Sequence, residues 1–432
     1  MAQVPVLIIL AGGASSRMWP LREKSLLRFG TEPLLVSQLQ HSKALGFNEA
    51  IIVANPDNQD DIVDMTAQMR AMNVQVVVQS EPKGMGDAIL QASTALADRP
   101  ETPVYITQVH DVVDDRLHQR MLEAFQKNPG ANYIAGYEYE GYFPGGYLIV
   151  DRRGRITGIV EKPGAENKPS NLVNIVAHIH RDAAHLFNAI RAEYAKGIAT
   201  DDHYERALDN LMKVEPYYVV PYHGSWSALK YPWHVLDVMN YFLGQIEGQI
   251  VAKTASIADT ARLVGSVFIG ENVKVFPGAA IVGPAYIGAG AIVGNNSLVR
   301  HSMVLNACEV GFTTEIARSY VADHCAMHAC RVLDSVFASG VNFSAGCTTA
   351  NLRIDKGEVS SVVKGQKIGT GRDKLGAIIG QNAFLSVDVM TMPGVKIGER
   401  AQVGPGTCVF KDVKDGQRVY VKQDIEVVDG ES

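Results

Sequence analysis

Residues 256–300, SIADTARLVGSVFIGENVKVFPGAAIVGPAYIGAGAIVGNNSLVR, carry an apolar side chain at every sixth position: Ile257, Leu263, Ile269, Val275, Ile281, Ile287, Val293 and Val299. A helix repeats near 3.6 residues and a strand near 2, so neither produces a strict six. The series returns at Ile379, Leu385, Ile397, Val403 and Val409, with Thr391 interrupting it. Glycine often follows the apolar residue, as at Gly270, Gly288, Gly294, Gly380, Gly398 and Gly404. Six-residue periodicity marks a parallel β-helix, in which each hexapeptide forms one flat face and points its apolar residue inward. The glycines then fall at the corners. Residues 352–374 break the pattern with a polar, glycine-containing insertion, expected as an external loop of the kind that often carries function.

Upstream, short apolar runs alternate with helical patterns. Val6–Leu10, Ala50–Ala54, Val74–Val78 and Val104–Val109 read as strands, whereas Pro33–Leu45, 57–72 and 86–97 read as helices. This alternation predicts an α/β domain with a mostly parallel sheet covered by helices on both faces. Ligands of such sheets sit beyond the carboxyl ends of the strands, so the loops after Leu10, Val78 and Val109 should converge. Residues 231–250, YPWHVLDVMNYFLGQIEGQI, read as one amphipathic helix. The expected organisation is therefore residues 1–230, a linking helix 231–250, a β-helix 251–415 and a tail 416–432.

Composition narrows the class further. The chain has 432 residues, 47% hydrophobic and 20% charged, in the range of folded globular proteins. A formal net charge of −6 supplies no basic field for nucleic acid. The five cysteines all lie beyond residue 300 without a secretory leader, the pattern of reduced thiols in a cytoplasmic protein. The run Val4–Leu10 is too short for a membrane span and reads as a buried strand.

The first chemical constellation is Leu10-Ala11-Gly12-Gly13, followed by Arg17 and Lys24. Two glycines let backbone N–H groups approach a nucleotide's phosphates and base, and the two cations stand where a pentacoordinate phosphorus would gather negative charge. A tight strand-to-helix turn flanked by solvated basic residues is the simpler alternative.

This loop, LAGGASSRMWPLREK, resembles the signature of the sugar-1-phosphate nucleotidyltransferases, and the likeness continues along the chain. It implies a Rossmann-like nucleotidyltransferase domain followed by a left-handed β-helix, with NTP and a sugar-1-phosphate as substrates and Mg²⁺ as cofactor. By the same resemblance Gln79 in Gln79-Ser80-Glu81-Pro82-Lys83-Gly84 reads the nucleobase of UTP or dTTP, and Gly84 allows close backbone approach. Asp111 falls where the family keeps a metal-binding aspartate, Glu161 and Lys162 match the sugar-contacting EKP motif, and Asn174 matches a sugar-binding asparagine. The second metal ligand of the family maps to Ala228, the Gly-Asp before the metal reads His110-Asp111, and the tyrosine-glycine near the sugar reads Gly145-Gly146-Tyr147. Substrate phosphates often complete a magnesium shell, so one carboxylate is compatible with activity.

The hexapeptide region is similar to the archaeal-type bifunctional members, which also acetylate an amino-sugar phosphate. That resemblance implies acetyl-CoA as second substrate and His328 as general base. It further implies that Asn351 orients His328, that Ala345 lies near the oxyanion, that Asn342 and Lys374 belong to the acetyl-transfer site, and that the protein is a homotrimer or a multiple of three. Arg318 and Arg331 are the candidates for binding phosphate there. The chemistry requires a neutral imidazole to take a proton as nitrogen attacks a thioester. A zinc site at His324, Cys325, His328 and Cys330 competes for the same residues, as does a purely structural histidine. At the level of the whole chain, a catalytically weak nucleotide-sugar-sensing subunit and a β-helix that only trimerises remain as alternatives.

Overall fold

The computed structural model describes residues 4–13, 15–67, 69, 72–198 and 202–428. Two compact units emerge: the first comprises described residues 4–13, 25–27 and 32–228, and the second 15–24, 28–31 and 229–428.

The first unit is a sheet ordered β10-β6-β9-β4-β1-β2-β3. Its strands are β1 (Val6–Leu10), β2 (Glu49–Ala54), β3 (Asn73–Val78), β4 (Val104–Gln108), β6 (Asn132–Glu138), β9 (Leu172–His180) and β10 (Tyr217–Tyr222), with β5 (Asp111–Val113) lying off the sheet. The β4-β1-β2-β3 half is parallel. Beyond it the sheet is mixed, because β9 runs antiparallel to both β4 and β6. A hairpin of β7 (Gly146–Val150) and β8 (Ile156–Glu161) joins β9 at one point, Tyr147 opposite Val173. Because β1 is buried on both faces it reads as a continuous apolar run. Val6, Ile8 and Leu10 pack with α3 (Met85–Gln91), α5 (Ala183–Tyr194) and α6 (His203–Val214), while Leu7 and Ile9 are equally buried. The crossover helices α1 (Leu34–Ala44) and α2 (Gln59–Thr66) are shorter than their sequence patterns. Residues 68, 70 and 71 of the 57–72 pattern, and Ala14 of the signature loop, lie outside the described residues.

The second unit is a parallel β-helix with three sheets of eight, nine and eight strands. Its interior is one continuous cluster in which Ile269, Ile281, Ile287, Val293, Val299, Ile379, Leu385 and Ile397 are completely buried. Each such side chain contributes about 1.5–3 kcal/mol by leaving water. The glycine after the inward residue is a stacking requirement. A Cβ on Gly288 would come within 2.6 Å of the Leu305 carbonyl carbon in the next rung, so the corners nest only without a side chain. Thr391 also points inward and is fully buried.

Three expectations change in detail. Residues 231–250 do not form one helix: α7 covers Val235–Leu243 and ends at Gly244, and Gln249–Val251 already pairs in parallel with Val267–Ile269 as the first rung. The β-helix extends past 415, since Arg418–Val419 pairs with Gln402–Val403. The insertion is an antiparallel hairpin, Val359–Val363 with Gln366–Arg372, pinned by Ser361 Oγ donating to the Gly394 carbonyl at 2.8 Å. The short segment 28–31 belongs to this unit because Phe29 stacks on Phe242 at 5.4 Å and meets Tyr320 at 5.5 Å.

Candidate active site

In the first unit the parallel register brings the loops to one edge: Leu10 pairs with Val53 and Gln108, and Ala54 with Val78. The backbone then passes directly across neighbouring strand ends, with Ala11 N–H donating to the Val53 carbonyl and Gln79 N–H to that of Ala54. The two signature glycines do different work. A Cβ on Gly12 would meet the Ala54 carbonyl oxygen at 2.8 Å, so Gly12 is demanded by packing, whereas Gly13 faces open space and is exposed. The Ala11 carbonyl is held by Asn58 Nδ2 at 3.0 Å. Asn58 is fully buried, and its own position comes from reciprocal bonds with Asn55. Sequence reasoning missed both; the Asn-x-x-Asn spacing directly after a strand is the signal of an Asx turn that would have found them.

Gln79 is buried, and its Nε2 donates to the Gly84 carbonyl at 3.0 Å and to Asp87 Oδ2 at 2.8 Å. Both amide protons are thereby used, which leaves Oε1 as the group available to a base. Gly84 has φ +93°, a conformation that favours glycine, and starts α3. Tyr194 from α5 staples this loop, donating to the Lys83 carbonyl at 2.8 Å and accepting from Asp87 N–H at 2.9 Å.

Asp111 opens β5, which pairs with β11 (Trp226–Ala228) so that Asp111 stands directly opposite Ala228. Trp226 Nε1 donates to Asp111 Oδ1 at 3.1 Å, fixing the carboxylate. The position facing Asp111 is therefore where a second carboxylate would share a cation, and it carries a methyl group. Among the described residues no group of three or more His, Cys, Asp or Glu is placed to hold a metal ion. A divalent cation fits here only as one protein carboxylate completed by substrate phosphate and water oxygens.

The sugar-motif residues come together. Gly146 pairs with Glu161, and a Cβ on Gly146 would lie 3.1 Å from Glu161 Oε2 and 3.5 Å from Asn174 Cβ. Glu161 and Asn174 thus flank a floor that any side chain at 146 would fill. Lys162 reaches Glu161 at 3.2 Å and adopts φ +45°, a strained state for a non-glycine residue that recurs at ligand clamps. Behind Asn174 lies a buried chain of His178, Tyr204, His180 and Tyr217, which the sequence did not reveal.

Arg17 and Lys24 lie on residues 15–24, which pack as part of the second unit. Trp19 Nε1 donates to Asp415 Oδ1 at 2.9 Å, the Lys396 ammonium sits 4.7 Å from the Trp19 ring centre, and Arg22 pairs with Glu399. Arg17 is exposed and Lys24 half-buried. Ser15 Oγ is buried without a hydrogen-bond partner among the described residues, a desolvated group of the kind ligands satisfy.

On the β-helix the predicted acetyl-transfer residues divide between two corners. His328 is exposed at the corner that follows Ala326–Met327, stacked between Gly311–Phe312 and Ser344–Gly346 of adjacent rungs. Asn342 and Ala345 belong to that same corner one rung on, where Asn342 Oδ1 accepts from Ser344 Oγ at 3.0 Å. Asn351 lies at a different corner, after Thr348–Thr349, and donates to Asp334 instead of meeting His328. Lys374 bridges to Leu352 beside it. Asp334 also receives Arg318 through two bonds of 2.7 Å, so this phosphate-binding candidate is already engaged. Arg331, the other candidate, is exposed. The zinc reading fails on geometry: Cys325 and Cys330 are buried thiols donating to carbonyls at 3.2 Å and 2.9–3.0 Å, while His324 and His328 point outward and are exposed.

An edge of converging loops on an α/β sheet, joined in one chain to hexapeptide rungs, points to a transferase class. Residues 6–227 match the nucleotidyl transferase family, and residues 266–301 match the bacterial transferase hexapeptide repeat. The chain is 30% identical over 420 residues to the bifunctional sugar-1-phosphate nucleotidylyltransferase/acetyltransferase of Sulfurisphaera tokodaii, covering 95% of this chain and 98% of that relative. It is 28% identical to the bifunctional GlmU proteins of Methanococcus vannielii and Methanocaldococcus jannaschii, in each case over 97% of this chain and 98% of the relative. The chain belongs to the family of bifunctional sugar-1-phosphate nucleotidyltransferases with a C-terminal hexapeptide-repeat domain. No helix among the described residues is long and apolar enough to cross a membrane.

Proposed function

We propose that the first unit joins an NTP to a sugar-1-phosphate, releasing pyrophosphate and an NDP-sugar, and that the β-helix transfers acetyl from acetyl-CoA to the amine of an amino-sugar-1-phosphate. The observation that carries the first activity is the pair of cradles on one sheet: Gly13 with Gln79 at the strand ends, and Glu161 with Asn174 over Gly146. The sugar phosphate oxygen attacks the α-phosphorus in line. A new P–O bond forms, the α–β bridging bond breaks, and pyrophosphate departs with the electron pair. No enzyme nucleophile is required, so the chain's task is positioning and charge dispersal by Arg17 and Lys24. Mg²⁺, held by Asp111, supplies Lewis-acid neutralisation of phosphate charge when bound. With both Nε2 protons committed, Gln79 Oε1 accepts from an imino N3–H, which uracil and thymine possess; this favours UTP or dTTP.

In the β-helix, His328 takes the proton released as the amine attacks the thioester carbonyl, and the thiolate leaves as CoA. Within one chain His328 and the Asn351–Lys374 corner are apart, so a threefold assembly that brings one copy's corner to its neighbour's would complete the site. The decisive experiment is a matrix of NTPs against sugar-1-phosphates read by pyrophosphate release, with thiol release from acetyl-CoA for glucosamine- and galactosamine-1-phosphate. Turnover with UTP or dTTP and amine-dependent thiol release is the expected result. Silence in both assays would leave a sensing subunit.

A further inference from the structure

We infer that His178 and Tyr204 are positioning residues that fix Asn174 as a hydrogen-bond donor toward the sugar, so the substituent read at this position must present an acceptor oxygen. The inference deepens the nucleotidyl-transfer reading and rests on it.

His178 Nε2 lies 2.8 Å from Asn174 Oδ1 and its Nδ1 lies 2.6 Å from Tyr204 Oη; His180 Nε2 lies 3.1 Å from the same Tyr204 oxygen, and His180 Nδ1 3.1 Å from Tyr217 Oη. All four rings are essentially inaccessible to water, at 0–1% exposure. Burial pushes His178 down to about 3 and His180 well below 6.5, so both imidazoles are neutral near pH 7. A neutral imidazole has one N–H and one bare nitrogen. Among the described residues the Tyr217 hydroxyl has His180 Nδ1 as its hydrogen-bond partner and donates to it, which puts the His180 proton on Nε2, sends the Tyr204 proton to His178 Nδ1 and leaves His178 Nε2–H to face the Asn174 amide oxygen. The Tyr204 oxygen, its proton spent, accepts from His180 Nε2–H, and His180 Nδ1 accepts from the Tyr217 hydroxyl. The chain runs in one direction and ends on Asn174, with the Ile175 carbonyl as a second acceptor beside the His178 ring.

The consequence is chemical polarity at the site. With Oδ1 turned to His178, Asn174 offers its NH₂ outward, while Glu161 on the other side of Gly146 offers a carboxylate. One wall donates and the other accepts, a match for a hydroxyl or acetamido substituent with its oxygen toward Asn174. An asparagine without a fixed partner could flip to suit either kind of group, at the cost of discrimination.

The test uses the full-length protein in two arms. Nitrogen-15 NMR of histidine-labelled protein, with His178 assigned by comparison with His178→Gln, should show the Nε2–H tautomer. The Nδ1–H tautomer at His178, in an enzyme with normal turnover, would overturn the proposal by itself. In kinetics, Tyr204→Phe should raise the KM for sugar-1-phosphate roughly tenfold while the KM for NTP stays within about twofold. Asn174→Asp keeps an acceptor toward His178 but loses the outward donor, and should raise the sugar KM by at least about tenfold. Equal changes in both KM values, or a lowered melting temperature with unchanged KM, would reduce the chain to a structural role. If wild-type protein shows no sugar-phosphate-dependent pyrophosphate release, the underlying reading fails, and with it the role of Asn174.

Discussion

The two units put their buried polar side chains to different uses. In the α/β unit buried polar side chains reach the site from behind: Asn58 holds the Ala11 carbonyl, Tyr194 staples the Gln79 loop, and the His178–Tyr204 chain backs Asn174. In the β-helix the central cluster is apolar or sulfur-bearing, the thiols are spent on corner carbonyls, as when Cys308 donates to Ala322 and Cys347 to Ser386, and small buried hydroxyls tie one rung to the next, as when Ser319 N–H donates to Ser302 Oγ and Ser335 N–H to Ser319 Oγ. Its candidate catalytic groups stand on the outside of the corners with little behind them. A solenoid with so regular a core positions groups by rung geometry. An α/β sheet leaves irregular loops that need individual ties.

The largest effect that would break or sharpen this contrast comes from His328→Ala. Because nothing but the corner holds the imidazole, its removal should cost acetyl transfer roughly two to four orders of magnitude and leave nucleotidyl transfer and thermal unfolding unchanged. Thiol and pyrophosphate assays on one preparation check both halves. Loss of both activities together would show that the units do not act independently.

Next are Arg17→Ala and Lys24→Ala, each expected to lower nucleotidyl transfer by about a hundredfold or more, since charge lost at a phosphoryl centre costs roughly 3 kcal/mol. These residues sit on the segment that packs with the second unit, where Trp19 meets Asp415 and Lys396. Pyrophosphate release within a few-fold of wild type for both cation variants would remove them from the reaction.

A smaller change tests the metal reading. Chelation should abolish nucleotidyl transfer. Ala228→Asp should lower the Mg²⁺ needed for half-maximal rate by about tenfold, because the new carboxylate faces Asp111 across the β5–β11 pair. A metal requirement unmoved by this substitution would place the cation elsewhere.

How much of this could be read from the chain differs between the units for a physical reason. The inward series from Ile257 to Val299 is legible because every step is six. From Val299 the step shortens to five at Val304, Val321, Val332 and Phe337, residues just as fully buried, so the central rungs have no fixed period to find. That same irregularity hides which corner a residue occupies, and it is why Asn351 is not beside His328 in one chain. In the first unit the types of site residue were legible, but not the division of labour between Gly12 and Gly13, which depends on where Ala54 lies. The His178–Tyr204–His180–Tyr217 chain had no local signal at all. Each member reads as an ordinary core position of a strand or helix, and their contacts form only when β9, α6 and β10 pack.

That hidden chain sets the last and smallest prediction, a difference in acid sensitivity. His178 and His180 are buried neutral, with folded values held by desolvation below the ordinary 6.5. The unfolded chain therefore binds more protons than the folded one once pH drops beneath 6.5. Stability is complete above that pH and is lost as pH falls toward the folded value of about 3 for His178. Between pH 6.5 and 5 the pair should cost the first unit about 3 kcal/mol. The buried residues described in the β-helix include no histidine. Hydrogen exchange on the intact protein at pH 7 and pH 5 should then show protection falling in β9 and α6 while the β-helix strands hold. Undiminished protection of β9 and α6 at pH 5 would mean that the histidines accept protons in the folded state, and that the polarity argued for Asn174 does not survive below neutral pH; equal loss in both units would trace the acid sensitivity to other groups.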